Sequence, residues 1–125
     1  MFTAINYHAF FRVANERKVA KILARFSADS GHEVVLQECK RYWKNVALFD
    51  TYFYTPLVSD NVADAVFRTL RICEKLTPRW TVSAPSRYSS GLWEFRGDSM
   101  NMAEGIELVY FSVDNFPEPV QDTMC

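Results

Sequence analysis

The sequence predicts a single α+β domain over residues 1–125: a ferredoxin-like sandwich in which a mainly antiparallel sheet carries two helices on one face. Three observations carry this expectation. A 125-residue chain with 49% apolar and 15% aromatic content has the size and composition of one compact core. Two segments show apolar residues at helical spacing, and the segments around them alternate or concentrate β-branched and aromatic residues. The resulting order, βαββαβββ, contains two strand-helix-strand units in series followed by further strand.

Ile5 to Val13 alternates strictly, with Ile5, Tyr7, Ala9, Phe11 and Val13 on one side and Asn6, His8 and Arg12 on the other, the pattern of a half-buried strand. Asn15 then offers an N-cap. Val19, Ile22, Leu23 and Phe26 follow at helical spacing until Asp29-Ser30-Gly31 stops a helix over about 16–29. Val34 to Leu36 opens a second extended segment, and Val46 to Tyr54 forms a third, with a hairpin turn or irregular edge expected between Lys40 and Asn45. Pro56 is expected to end that strand because proline cannot donate to a ladder. Ser59 or Asp60 then caps a helix over 60–76, whose buried stripe is Val62, Val66, Leu70 (with Thr69), Cys73 and Leu76. Strands are expected at Trp80–Ala84, at Leu92–Phe95 after the Ser90-Gly91 turn, and at Ile106–Val113 after Gly105, with 116–125 as an irregular tail.

Composition narrows the function classes. No apolar run approaches the roughly 18 to 20 residues that a membrane helix needs, and Arg12 and Glu16-Arg17-Lys18 interrupt the early apolar residues, so a cytoplasmic, unexported protein is expected. Cys39, Cys73 and Cys125 lie far apart at no metal-binding or redox spacing, which suits a reducing compartment. His8 and His32 are the sole histidines, and their simplest reading is one exposed and one loop side chain. No His-x-x-x-His, Gly-x-Ser-x-Gly or phosphate-cradling glycine pattern occurs, so no catalytic centre, metal or cofactor is expected.

Charge is segregated along the chain. From Glu94 to Cys125 there are Glu94, Asp98, Glu104, Glu107, Asp114, Glu118 and Asp122 against Arg96 alone, about −6, whereas the preceding residues sum to about +5. An acidic surface of this kind attracts basic partners and repels phosphate backbones. Two basic clusters lie elsewhere. Arg17, Lys21 and Arg25 recur at four-residue intervals on the first helix, and Lys40-Arg41-Tyr42-Trp43-Lys44 interleaves cations with aromatics in the manner of single-strand nucleic-acid binding. The acidic last third and the absence of a basic-Gly-aromatic strand signature weigh against nucleic acid.

Both faces of the third and last strands carry apolar residues: Phe49 and Phe53 oppose Leu48, Tyr52 and Tyr54, and Val109, Phe111 and Val113 oppose Ile106, Leu108 and Tyr110. Helices on one face would leave the other to be covered by loops and tail or by a second chain. A partner interface is expected at Trp93, Glu94, Asp98, Glu104, Glu107 and Tyr110, with Asp114 at its margin, because this aromatic and acidic mixture suits a basic protein.

In whole-chain character the sequence resembles the small cytoplasmic immunity proteins of bacterial contact-dependent growth inhibition and related polymorphic toxin systems. The likeness rests on one aromatic-rich α+β domain, no catalytic constellation, and an acidic stretch containing Leu92-Trp93-Glu94-Phe95 and Gly105-Ile106-Glu107-Leu108-Val109-Tyr110. It implies a protein partner, a cognate toxin domain such as a basic nuclease, whose active site the chain occludes. Two alternatives stay open. A nucleic-acid-binding ferredoxin-like module requires Lys40 to Lys44 and the helix-one cations to be contiguous. A small enzyme or ligand-binding α+β barrel domain requires a closed pocket between sheet and helices lined by His8, Tyr52 or Tyr54.

Overall fold

The computed structural model describes residues 1–87 and 92–115. The expected irregular tail, 116–125, and the Ser90-Gly91 turn lie outside the described residues. The fold is α+β: β1 (Phe2–Phe11), α1 (Glu16–Ser30), β2 (Val35–Tyr42), β3 (Asn45–Ser59), α2 (Val62–Cys73), β4 (Thr81–Val82), β5 (Ser86–Arg87), β6 (Trp93–Asn101), a 3-10 turn at Met102–Glu104, and β7 (Ile106–Asp114). The seven strands form one sheet in the order β2-β3-β1-β7-β6-β4, with β5 also paired to β6, and every pairing among the described residues is antiparallel.

Strand β1 is central because its alternation lets it serve as a wall of the core. Ile5, Tyr7, Ala9 and Phe11 are buried, with Phe26 of α1 and Cys73 of α2 in the same core cluster. The Tyr7 ring meets Phe26 edge-on at 5.6 Å and stacks on Phe53 of β3 at 4.7 Å, and its hydroxyl donates to Thr55 Oγ1 at 3.1 Å. Cys73 also lies beside Tyr7, so both helices cover the Tyr7 side of β1. Burying these aromatics is worth about 1.5–3 kcal/mol each relative to exposure.

Helix α1 follows its sequence signals closely. The Asn15 side chain accepts from Lys18 N, Gly31 closes the helix at φ +71°, and Val19, Leu23 and Phe26 are buried. Helix α2 departs from expectation. Its N-cap is Asn61, which accepts from Asp64 N, rather than Ser59 or Asp60, and its buried residues are Ala65, Thr69, Ile72 and Cys73. Of the expected stripe Cys73 and Leu76 are buried and Val62 and Val66 pack half-buried against the core, whereas Leu70 is 37% exposed, and its neighbour Phe67 is 61% exposed. Thr69 is buried as expected, and Ala65 and Ile72 are the buried positions the expected stripe lacked.

The strand boundaries also differ. Pro56 does not end β3, which continues to Ser59; proline is accommodated where the register with β1 shifts between Phe2 and Ala4. A proline without an N–H is tolerated at such an irregularity. Lys40 to Tyr42 belong to β2, leaving only Trp43-Lys44 as the turn. The segment expected as one strand at Trp80–Ala84 supplies only β4, β5 was not anticipated, and β6 extends to Asn101 rather than stopping at Phe95. Among the described residues four strands therefore follow α2, where three were expected. No described helix is long and apolar enough to cross a membrane.

Candidate functional site on the helix-free face of the sheet

Strand alternation places Asn6, His8 and Phe10 on the face of β1 opposite the helices. The registers then align Glu38, Tyr52, His8, Tyr110, Asp98 and Thr81 across β2, β3, β1, β7, β6 and β4 as successive cross-strand neighbours. Side chains opposite one another in antiparallel strands have Cβ atoms about 4.5–5.5 Å apart, so this row is a continuous line of contacts.

Its centre is aromatic. The His8 ring stacks on Tyr52 with centroids 4.1 Å apart and an interplanar angle of 12°, and it lies 6.3 Å from Tyr110 and 4.7 Å from Phe10. Phe10 continues to Tyr42 at 4.8 Å. Tyr52 and Tyr110 remain 39% and 43% exposed. Beside them is a concavity of about 490 Å³ lined by Asn6, His8, Tyr52, Arg96, Asp98 and Tyr110, among others.

His8 is not the simple exposed side chain expected on the polar side of its strand. Its Nε2 lies 2.6 Å from Asp50 Oδ1, with both side chains mostly buried. An ionised carboxylate only accepts hydrogen bonds, so Nε2–H donates and the ring is fixed in place. Alone, this pair orients an imidazole. Acyl or phosphoryl chemistry would need a nucleophile and charge-stabilising donors aimed at one point. Among the described residues no group of three or more His, Cys, Asp or Glu side chains is placed to hold a metal ion.

The structure brings together four of the seven residues expected at the interface. Glu94, Asp98, Tyr110 and Asp114 fall on the helix-free face, with Glu94 opposite Asp114 and Asp98 opposite Tyr110. Arg96 Nη2 lies 2.9 Å from Glu94 Oε2. Trp93, adjacent to Glu94 in sequence, must point to the other face of the strand. It is half-buried against the core, under the Arg87 guanidinium at 5.8 Å from the ring centroid. Glu104 lies in the 3-10 turn, 3.3 Å from Arg25 Nη1 of α1. Glu107 is skipped in the β1/β7 register and lies 2.7 Å from Arg12 Nε.

Sequence reasoning missed the contribution of β2 and β3 to the charge of this face. Glu38, Asp50, Glu94, Asp98 and Asp114 share it with the cations Lys40 and Arg96. Lys40 Nζ is 3.2 Å from Glu38 Oε1. Alternation on β2 and β3 was the available signal for Glu38 and Asp50, but their distance in sequence from the acidic last third concealed the shared surface.

Arg41 and Arg25 of the two basic clusters are engaged within the fold, while Arg17 and Lys21 are exposed on α1. Arg41 donates to the carbonyls of Val46 at 2.8 Å and Ala14 at 3.1 Å while lying 4.3 Å above Phe49, and Arg25 also reaches Asp29 at 3.8 Å. Lys44 lies 5.1 Å from the ring centre of Trp43. The concavity that contains His8 and Tyr52 is open and on the side away from the helices, not enclosed between helices and sheet as a barrel-type pocket requires.

No protein-family model matches the chain, and no match emerges among curated proteins or among solved structures.

Proposed function

We propose that the protein is a cytoplasmic immunity protein that neutralises a cognate basic toxin domain, in the first instance a nuclease, by docking over its active site through the helix-free face of the sheet. One observation carries the reading: exposed tyrosines flank a concavity on a face where five carboxylates accompany two cations. Interfaces favour such aromatic anchors within a charged surround, and an acidic surface accelerates encounter with a basic partner. Glu94, Asp98, Tyr110 and Asp114 serve as contacts, joined by Tyr52 and Asp50. Trp93, Glu104 and Glu107 support the fold around them.

The finer architecture belongs to the same proposal. The inner order β2-β3-β1-β7, with the helices connecting β1 to β2 and β3 onward, supports a ferredoxin-like core extended at one edge by β6, β4 and β5. A second reading, a ligand-binding or enzymatic domain, is favoured by the His8–Asp50 pair beside the concavity. The two separate cleanly: an enzyme is inactivated by His8→Gln, whereas docking is far more sensitive to loss of Tyr52 and Tyr110.

The test is growth of bacteria that co-express a toxin domain encoded beside this chain's own gene. Wild-type chain is expected to restore growth, and a Tyr52→Ala, Tyr110→Ala double variant of unchanged stability to fail. Undiminished toxicity in the presence of wild-type chain would refute the proposal.

A further inference from the structure

We propose that the concavity is a receptor for one arginine side chain of the protein partner, its guanidinium lying over Tyr110 and ion-paired to Asp98. This inference rests on the docking reading and names the partner group that fills its centre. Asp98 and Tyr110 are direct cross-strand neighbours, so a ring face and a carboxylate are held at a separation that one planar cation can span. Tyr110 is 43% exposed, and both residues line the cavity of about 490 Å³.

Charge decides the sign of the ligand. Arg96 also lines the cavity, but it is held 2.9 Å from Glu94, while Glu38 is matched by Lys40 and Asp50 by His8. Asp98 has no ion pair among the described residues. The unmatched charge beside the tyrosine is therefore negative, which selects a cation over an anion.

Shape selects arginine over lysine. A guanidinium is planar and weakly hydrated, stacks on an aromatic face and meets a carboxylate with two parallel N–H donors, whereas an ammonium is a compact, strongly hydrated point charge. The Tyr52 and His8 rings offer an apolar bed for the aliphatic stem.

The probe is the capped peptide acetyl-Gly-Arg-Gly-amide, titrated into the full ¹⁵N-labelled chain, with the citrulline peptide as a neutral isostere. Saturable shifts are expected at the amides of Asp98 and Tyr110, at least tenfold weaker for citrulline and reduced to the citrulline level by Asp98→Asn. Equal binding of both peptides, or Asp98→Asn binding like wild type, would overturn the arginine receptor. The docking reading is judged separately with the intact partner. A partner that loses affinity on Tyr52→Ala yet ignores Asp98→Asn removes the arginine receptor and leaves the docking surface; indifference to both substitutions removes the two together.

Discussion

His8 Nε2 lies 2.6 Å from Asp50 Oδ1 across 42 residues of sequence, on the side of the sheet that no helix covers. The contact arises from register: His8 faces Tyr52 on β3, and Asp50 is the next residue of that strand to share its side. It fixes the imidazole under Tyr52 and so organises the aromatic row. The opposite side of β1 is a buried apolar core, and the contrast between them is the basis of the functional reading.

Phe26 is fully buried against Tyr7, so Phe26→Ala should destabilise the protein by about 3–5 kcal/mol. Leu70→Ala, at a position that is 37% exposed, should cost well under half as much. Urea denaturation of both variants measures the difference, and equal losses would contradict the orientation assigned to α2.

Thr69 presents a buried Oγ1 with no hydrogen-bond partner among the described residues. Thr69→Val keeps the shape and removes the orphaned hydroxyl, and should raise stability by about 1 kcal/mol. Thermal denaturation reads this as a higher Tm.

Gly97 of β6 lies against the Phe111 ring, and a Cβ there would overlap it, standing 2.7 Å from Cζ and 3.0 Å from Val82 Cγ1. Gly97→Ala should therefore cost about 1–3 kcal/mol through overpacking. Combined with Phe111→Leu, the two losses should be less than additive, as a double-mutant cycle will report.

Burial pushes the Cys73 thiol above its ordinary value of 9.0, outweighing the Tyr7 hydrogen bond that acts in the other direction, and burial together with Cys73 raises Tyr7 well above 10.0. Raised folded-state values mean that the unfolded chain loses these protons first. Their contribution is complete below pH 9 and is eroded as pH rises, by about 1.4 kcal/mol per pH unit for each group while only the unfolded form ionises. Cys73→Ala should flatten the fall in stability between pH 9 and 10, and Tyr7→Phe the fall above pH 10. Denaturation midpoints measured from pH 7 to 11 check the sign.

Much of the fold was legible because local signals and burial agree. The alternation of Ile5 to Phe11, the Asn15 cap and the Gly31 stop each correspond to what the structure contains. Pro56 misled because a register shift, a property of two strands, accommodates it. On α2 only Leu70 misled: the buried line runs through Ala65, Thr69, Ile72 and Cys73, which leaves Leu70 at the exposed margin. The same limit governs the site. Tyr110, Asp98, Glu94 and Asp114 were legible from charge and alternation, yet Trp93 followed Glu94 into the expected interface although consecutive strand residues point apart. Asp50 became visible only through pairing with His8.

The affinity of the cognate toxin domain for single-site variants tests the central claim most directly. Tyr110→Ala and Tyr52→Ala should each weaken binding at least tenfold, chiefly through faster dissociation, and Asp98→Lys should slow association at low salt. Phe67→Ala and Glu104→Lys, on the helix side and at the 3-10 turn, should leave Kd within about twofold of wild type. Full affinity in the tyrosine variants, with loss confined to Phe67 or Glu104, would place the interface on the helices and contradict the assignment of function to the helix-free face.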